Sequence, residues 1–112
     1  MKDLTTNGLT FDEYQEAAAT TAVYPAPVAK EYLLLGLLSE AGEIAGKYKK
    51  VLRGDGAIDA EAIKQELGDV LWYLSGLARE FGFSLEDVAE ANLTKLIDRA
   101  QRGVIMGNGD KR

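Results

Sequence analysis

Leu37-Leu38-Ser39-Glu40-Ala41-Gly42-Glu43-Ile44-Ala45-Gly46-Lys47-Tyr48-Lys49-Lys50-Val51-Leu52-Arg53-Gly54-Asp55-Gly56 is the stretch on which the reading of this chain turns. Leu34, Leu37, Leu38, Ala41, Ile44, Ala45, Tyr48 and Leu52 recur at helical spacing, which predicts one long helix over residues 28–52. Arg53-Gly54-Asp55-Gly56 then reads as a tight turn. Beyond it, Asp59 is placed to cap a further helix. Ile63, Leu67, Val70, Leu71, Leu74, Leu77, Ala78 and Phe81 give that helix a wide apolar face, and Gly82 supplies its stop.

Outward from this hairpin the signals stay helical. Thr10-Phe11-Asp12-Glu13 has capping-box spacing, so a first helix is predicted from near Phe11 to about Ala22. Tyr24-Pro25-Ala26-Pro27 breaks it, because proline lacks the amide donor and restricts the residue before it. Ser84-Leu85-Glu86-Asp87 opens a last helix, with Leu85, Val88, Ala89, Leu93 and Leu96 expected on its buried side. Glycines at 103, 107 and 109 mark an irregular tail. Nothing reads as a strand, a repeat or a low-complexity segment. The expectation is an all-α, four-helix single domain over residues 1–112, with a helical core of about 11–102.

Composition narrows the chemistry. At 112 residues there is room for one domain, and one whose modest burial would gain from self-association. Neither cysteine nor histidine occurs, which removes thiolate sites, the commonest general base and the commonest transition-metal ligand. Any metal must then be held by oxygen, which points to magnesium or manganese. The net charge is −5 with no basic patch interleaved with aromatics, so nucleic acid is not an expected partner. No apolar run approaches the ~18 residues of a membrane span, and Met1-Lys2-Asp3-Leu4 lacks a leader core, so a cytoplasmic location is the default.

Against that background two pairs of acids stand out, Glu40 with Glu43 and Glu66 with Asp69. Each pair is three residues apart, about one turn on one helix face. Glu40 and Asp69 lie equally far in sequence from the Gly54–Asp55 junction, and so do Glu43 and Glu66. If the two helices pack antiparallel, all four carboxylates arrive at one height. Four such acids repel unless a hard cation neutralises them, and a magnesium site of this kind keeps waters and takes phosphate oxygens. Solvated acids on amphipathic helices would give the same spacing, and periodicity alone does not decide between the two.

With Glu40-Ala41-Gly42-Glu43, 22 intervening residues and Glu66-Leu67-Gly68-Asp69, the chain resembles the ExxE…ExxD signature of MazG-like all-α nucleoside triphosphate pyrophosphohydrolases. The flanks agree: Leu37-Leu38-Ser39 before the first pair, Val70-Leu71-Trp72-Tyr73 after the second, and Asn92 with Lys95 as an Asn-x-x-Lys element. The resemblance runs from about Phe11 to Arg102. It implies a four-helix MazG-like bundle completed by homodimer or homotetramer formation. It also implies Mg²⁺-dependent hydrolysis of a (deoxy)nucleoside triphosphate to monophosphate and pyrophosphate, with Mn²⁺ able to substitute. Carried over, Glu40, Glu43, Glu66 and Asp69 are the metal ligands, and Glu40 is the candidate to act on the attacking water. Lys47 and Lys50 extend the Glu43 stripe and could meet phosphate. Tyr73, one turn beyond Asp69, could touch base or sugar, while Trp72 reads more as core; Asn92 and Lys95 suit a sugar or phosphate contact. The competing reading is a non-catalytic helical interaction or regulatory module that keeps its acidic face for a partner or a structural ion. A ferritin-like di-iron bundle is disfavoured, since that site wants histidine.

Overall fold

Helix α1 (Phe11–Ala19) opens on the capping box: Thr10 Oγ1 accepts from the Glu13 amide, and the Thr10 amide donates to the Glu13 carboxylate, each at 3.1 Å. The computed structural model describes residues 8–112; residues 1–4, on which the leader expectation rests, lie outside them. A short 3-10 turn (Ala26–Val28) leads into α2 (Ala29–Leu52), and α3 (Ala60–Glu80) and α4 (Leu85–Arg102) follow. No strand occurs among the described residues, so the all-α class with four helices holds. No helix is long and apolar enough to cross a membrane.

The predicted caps are in place. Asp59 accepts from the Glu61 and Ala62 amides, and Ser84 from the Asp87 amide. Gly54 and Gly56 carry φ of 92° and 101° in the connection between α2 and α3, a region that glycine enters without a Cβ clash. One expectation is corrected. The first helix stops at Ala19 instead of running to about Ala22, because the Thr20 and Thr21 hydroxyls donate back to the Ala17 and Ala18 carbonyls at 2.7 Å, satisfying groups a further turn would have taken.

Helices α2 and α3 form the antiparallel hairpin. The Tyr73 ring lies against α2 at Gly36, where an added methyl would overlap it. Leu33 is fully buried beside Gly76 of α3. Helix α1 is docked by one amide: Gln15 Nε2 donates to the carbonyls of Ser75 (3.2 Å) and Phe83 (3.1 Å), and its Oε1 accepts from the Leu85 amide (3.0 Å). Three helices are thereby held at one point. An aromatic cluster closes the same end: Tyr24 stacks on Tyr32 at 5.6 Å, Trp72 meets Tyr73 edge-on at 5.0 Å, and the Trp72 indole donates to Thr21.

The core is small. Ala29, Leu33, Ala78 and Leu85 are its buried apolar residues. On α4 only Leu85 of the expected apolar set is buried, and Ala89 is half-buried; Val88, Leu93 and Leu96 are exposed, a correction to the sequence reading. Leu34, Leu38 and Leu52 on α2, Leu67 and Leu74 on α3, and Phe81 at the C-cap of α3 are likewise exposed, Leu38 at 61%. The physical reason is geometric: α4 touches α1 and α3 but makes no contact with α2, so a single chain has nothing to lay over these faces. The accessible surface of 8192 Å² exceeds the ~6000 Å² of a compact monomer of this mass. The radius of gyration, 17.0 Å, exceeds the ~13 Å expected for this length.

The two glycines of α2 should respond oppositely to alanine. Gly36→Ala drives a methyl into Tyr73 and is expected to cost about 1–3 kcal/mol, whereas Gly42→Ala enters open space and is expected to stabilise the helix by up to ~1 kcal/mol. Thermal unfolding followed by circular dichroism checks both. Equal melting temperatures for the two variants would show that Tyr73 does not set the α2–α3 approach.

Candidate metal centre

The hairpin brings three of the four acids together. One carboxylate oxygen each from Glu40, Glu66 and Asp69 lie within 4.8 Å of one another, Glu40 and Glu66 half-buried and Asp69 exposed. The caps explain the register. Asp59 fixes where α3 begins, the glycine turn fixes the link to α2, and Glu66 and Asp69 then fall opposite Glu40.

Electrostatics at the trio bear the marks of crowded negative charge. The Glu40 carboxyl is pushed above the ordinary range, first by desolvation, then by a shared hydrogen bond with Glu66, then by the charges of Asp69, Glu66 and Glu43. The Glu66 side chain is 17% exposed, and its Oε2 is buried without a hydrogen-bond partner. Its Oε1 lies 4.0 Å from Lys47 Nζ. An orphaned carboxylate oxygen in a buried position is costly unless a cation takes it.

Glu43 stands outside this trio. It is exposed and lines an open groove along α2 with Ser39, Gly42, Gly46, Lys47 and Lys50. The bare backbone at Gly42 and Gly46 forms the floor of the groove, and the two lysines place positive charge along it. Glu43 still contributes to the field at Glu40.

Two tyrosines flank the acids. Tyr73 has its hydroxyl pKa raised by burial, then by Tyr32, which shares a hydrogen bond with it, and then by Glu40 and Asp69. Tyr14 of α1 has its pKa raised by burial and by the Asp69 charge. Sequence reasoning found Tyr73 and missed Tyr14 and Tyr32. Tyr14 bears no spacing relation to the acid pairs and reaches them only because Gln15 docks α1 on α3. Trp72 faces Thr21 and Tyr24, a structural position that agrees with its reading as core. Asn92 and Lys95 lie on α4, which does not touch the helix carrying Glu40 and Glu43, and the Lys95 amine is engaged by Asp110 at 3.0 Å.

Oxygen donors from two facing helices, with a lysine-edged groove alongside, suit a hard cation and a polyanion. Comparison with known proteins agrees. Residues 29–104 match the model of the MazG nucleotide pyrophosphohydrolase domain, a span that holds the hairpin, all four acids and α4. The chain is also 46% identical over 111 residues to the Gene 37 protein of Mycobacterium phage L5, covering 90% of this chain and 97% of that relative. No solved structure matches. With the family's domain laid over most of the chain, this protein belongs to the MazG nucleotide pyrophosphohydrolase family.

Proposed function

We propose that the protein is a magnesium-dependent enzyme that hydrolyses (deoxy)nucleoside triphosphates to monophosphate and pyrophosphate, serving the nucleotide pool of the cytoplasm. The observation that carries the reading is the buried, unpartnered Oε2 of Glu66 within a trio of converging carboxylates. Glu40, Glu66 and Asp69 would hold the cation, with Glu43 at the edge of the groove joining them. Magnesium suits this all-oxygen donor set, and manganese would serve in its place. When bound, the cation supplies charge neutralisation and acidifies water.

The remaining work falls to side chains of this chain. Lys47 and Lys50 attract the phosphates into the groove floored by Gly42 and Gly46. Tyr73, held against Gly36, presents an aromatic surface beside the acids for the base or sugar. Glu40, converging with Glu66 and Asp69, would orient the attacking water and take its proton. The water oxygen forms the new bond to phosphorus, the bond linking the α and β phosphates breaks, and pyrophosphate leaves. Asn92 and Lys95 are assigned to sugar or phosphate on the resemblance alone. The exposed leucines of α2, α3 and α4, with the excess accessible surface, support a homodimer or a tetramer built from two dimers.

Pyrophosphate release from mixed deoxynucleoside triphosphates should vanish in EDTA and return with magnesium or manganese; full turnover in chelator sinks the mechanism. Asp69→Asn removes one repulsive charge, so the metal-free protein should stay folded with an unchanged or slightly higher melting temperature. Its turnover should fall about a hundredfold or more, and the rise in melting temperature given by magnesium should shrink. Glu43→Gln should behave the same way, and wild-type turnover in that variant would confine the ligand set to the trio. Light scattering at micromolar concentration should give at least twice the 12.1 kDa chain mass, and a monomer would refute the assembly.

A further inference from the structure

Beyond α4 the tail Gly103-Val104-Ile105-Met106-Gly107-Asn108-Gly109-Asp110-Lys111-Arg112 folds back on that helix and is fastened on both sides of one dipeptide. Before it, the Gly107 amide donates to the Val104 carbonyl at 3.2 Å. After it, Lys95 Nζ donates to Asp110 Oδ1 at 3.0 Å, and Arg99 Nη2 donates to the same oxygen at 3.2 Å. The Arg112 guanidinium reaches across, donating to the carbonyls of Val104, Ile105 and Gly109. The Asn108–Gly109 pair between these anchors is bare. Both residues are exposed, and neither the Asn108 side chain nor the Gly109 amide is hydrogen-bonded to a described residue.

An asparagine followed by glycine sets an electrophile beside a nucleophile. The Gly109 nitrogen can attack the Asn108 side-chain carbonyl carbon and close a five-membered imide. The new C–N bond forms, the bond to the amide nitrogen breaks, and that nitrogen leaves as ammonia with the proton from Gly109. Water then opens the ring. Addition at the side-chain carbonyl gives aspartate, and addition at the main-chain carbonyl gives isoaspartate, in which the chain runs through the former side chain. Gly109, at a φ of 76°, has no Cβ to crowd the attack. The comparable residues are held back. Asn92 lies inside α4, where the helix fixes the backbone and Leu93 follows it. Asp55, before Gly56 in the hairpin turn, is paired with Arg53, and an ionised carboxylate is a poor electrophile.

We propose that Asn108–Gly109 is a self-modifying site, converted by water alone to aspartate and isoaspartate, and that the isoaspartate form releases the tail from α4. Isoaspartate adds one carbon to the main chain between residues 108 and 109. The Gly109 carbonyl at Arg112 and the Asp110 carboxylate at Lys95 and Arg99 then no longer sit in register. The stake is set by burial: the Arg99 side chain is 5% exposed, and a guanidinium so buried depends on the anion that the tail carries. The conversion is one-way and makes no use of the carboxylate trio, so it stands apart from the activity proposed above.

The test ages the whole chain at mildly alkaline pH and follows it by peptide mass mapping, with an isoaspartyl methyltransferase to mark isoaspartate. The peptide spanning Asn108–Gly109 should gain the mass of an amide-to-acid change and accept methyl groups, faster as the pH rises, because the attacking nitrogen must lose its proton. Mapping separates this site from Asn7–Gly8, the other Asn–Gly pair of the sequence. The folded chain should convert within about tenfold of the rate of a free peptide of residues 103–112, since exposed loop segments open at little free-energy cost. Asn92 and Asp55 should stay unchanged over the same period, and Asn108→Gln should abolish the conversion. Release is read on ¹⁵N-labelled protein, the aged form being separated by ion exchange as the more acidic species. Its amide resonances for residues 104–112 should move toward the positions they hold in Asp110→Ala. Asn108→Asp supplies the aspartate product alone, so the effect of isoaspartate is read by difference. Asn108 is exposed, so neither substitution there threatens the fold. Conversion slower than the tenfold bound overturns the proposal, as does an isoaspartate form whose tail resonances stay where Asn108→Asp has them.

Discussion

Holding Glu40, Glu66 and Asp69 within 4.8 Å of one another is the constraint that the rest of the chain is arranged around. Like charges brought together on one hairpin oppose its closure, so the hairpin must be closed by something else. Leu33 packed beside Gly76 and Tyr73 seated against Gly36 supply that closure, while the Gln15 amide fastens α1 to α3 and α4. The strain is partly relieved locally: Glu40 shares a hydrogen bond with Glu66, and Lys47 stands 4.0 Å from the other side of Glu66. Neither reaches the buried Oε2 of Glu66. The trio is thus held together with one acceptor left unpartnered, an arrangement suited to a cation.

A second constraint follows from making a site on a hairpin of two long helices. The donors must face one way, and the apolar residues that would bury the outer faces are left without a cover inside one chain. Leu38 lies one and a half turns from Glu43 along α2, yet is mostly exposed. The same holds for Leu67, next to Glu66 on α3, and for Leu93, between Asn92 and Lys95 on α4. Site and apolar surface share the same helices, so whatever covers the leucines also bears on the position of the acids.

Much of this was legible in the sequence because it is local. The capping box at Thr10, the cap at Asp59, the Gly54 and Gly56 turn and the stop at Gly82 each depend on a few neighbouring residues, and each falls where spacing places it. The end of α1 was misjudged because the Thr20 and Thr21 hydroxyls compete for carbonyls, a choice that apolar periodicity does not report. Equidistance about the turn found the height of the acids but not their rotation about each helix axis. Glu40 and Glu43 share a face only approximately, and the trio takes one and leaves the other in the groove. Burial on α4 was overestimated for a different reason: an amphipathic pattern states that a face will be covered without stating by what. Tyr14, Tyr32 and the ion pairs of Asp110 with Lys95 and Arg99 depend on contacts distant in sequence or on the path of an irregular tail, and no periodic pattern encodes either.

The absence of histidine and cysteine gives these pieces their common logic. With carboxylates as the acids left, the Glu40 carboxyl is raised above its ordinary range by desolvation first and then by the neighbouring acids. Crowding, however, leaves negative charge that nearby cations offset only in part: Lys47 at the edge of Glu66 and Lys50 further along the groove.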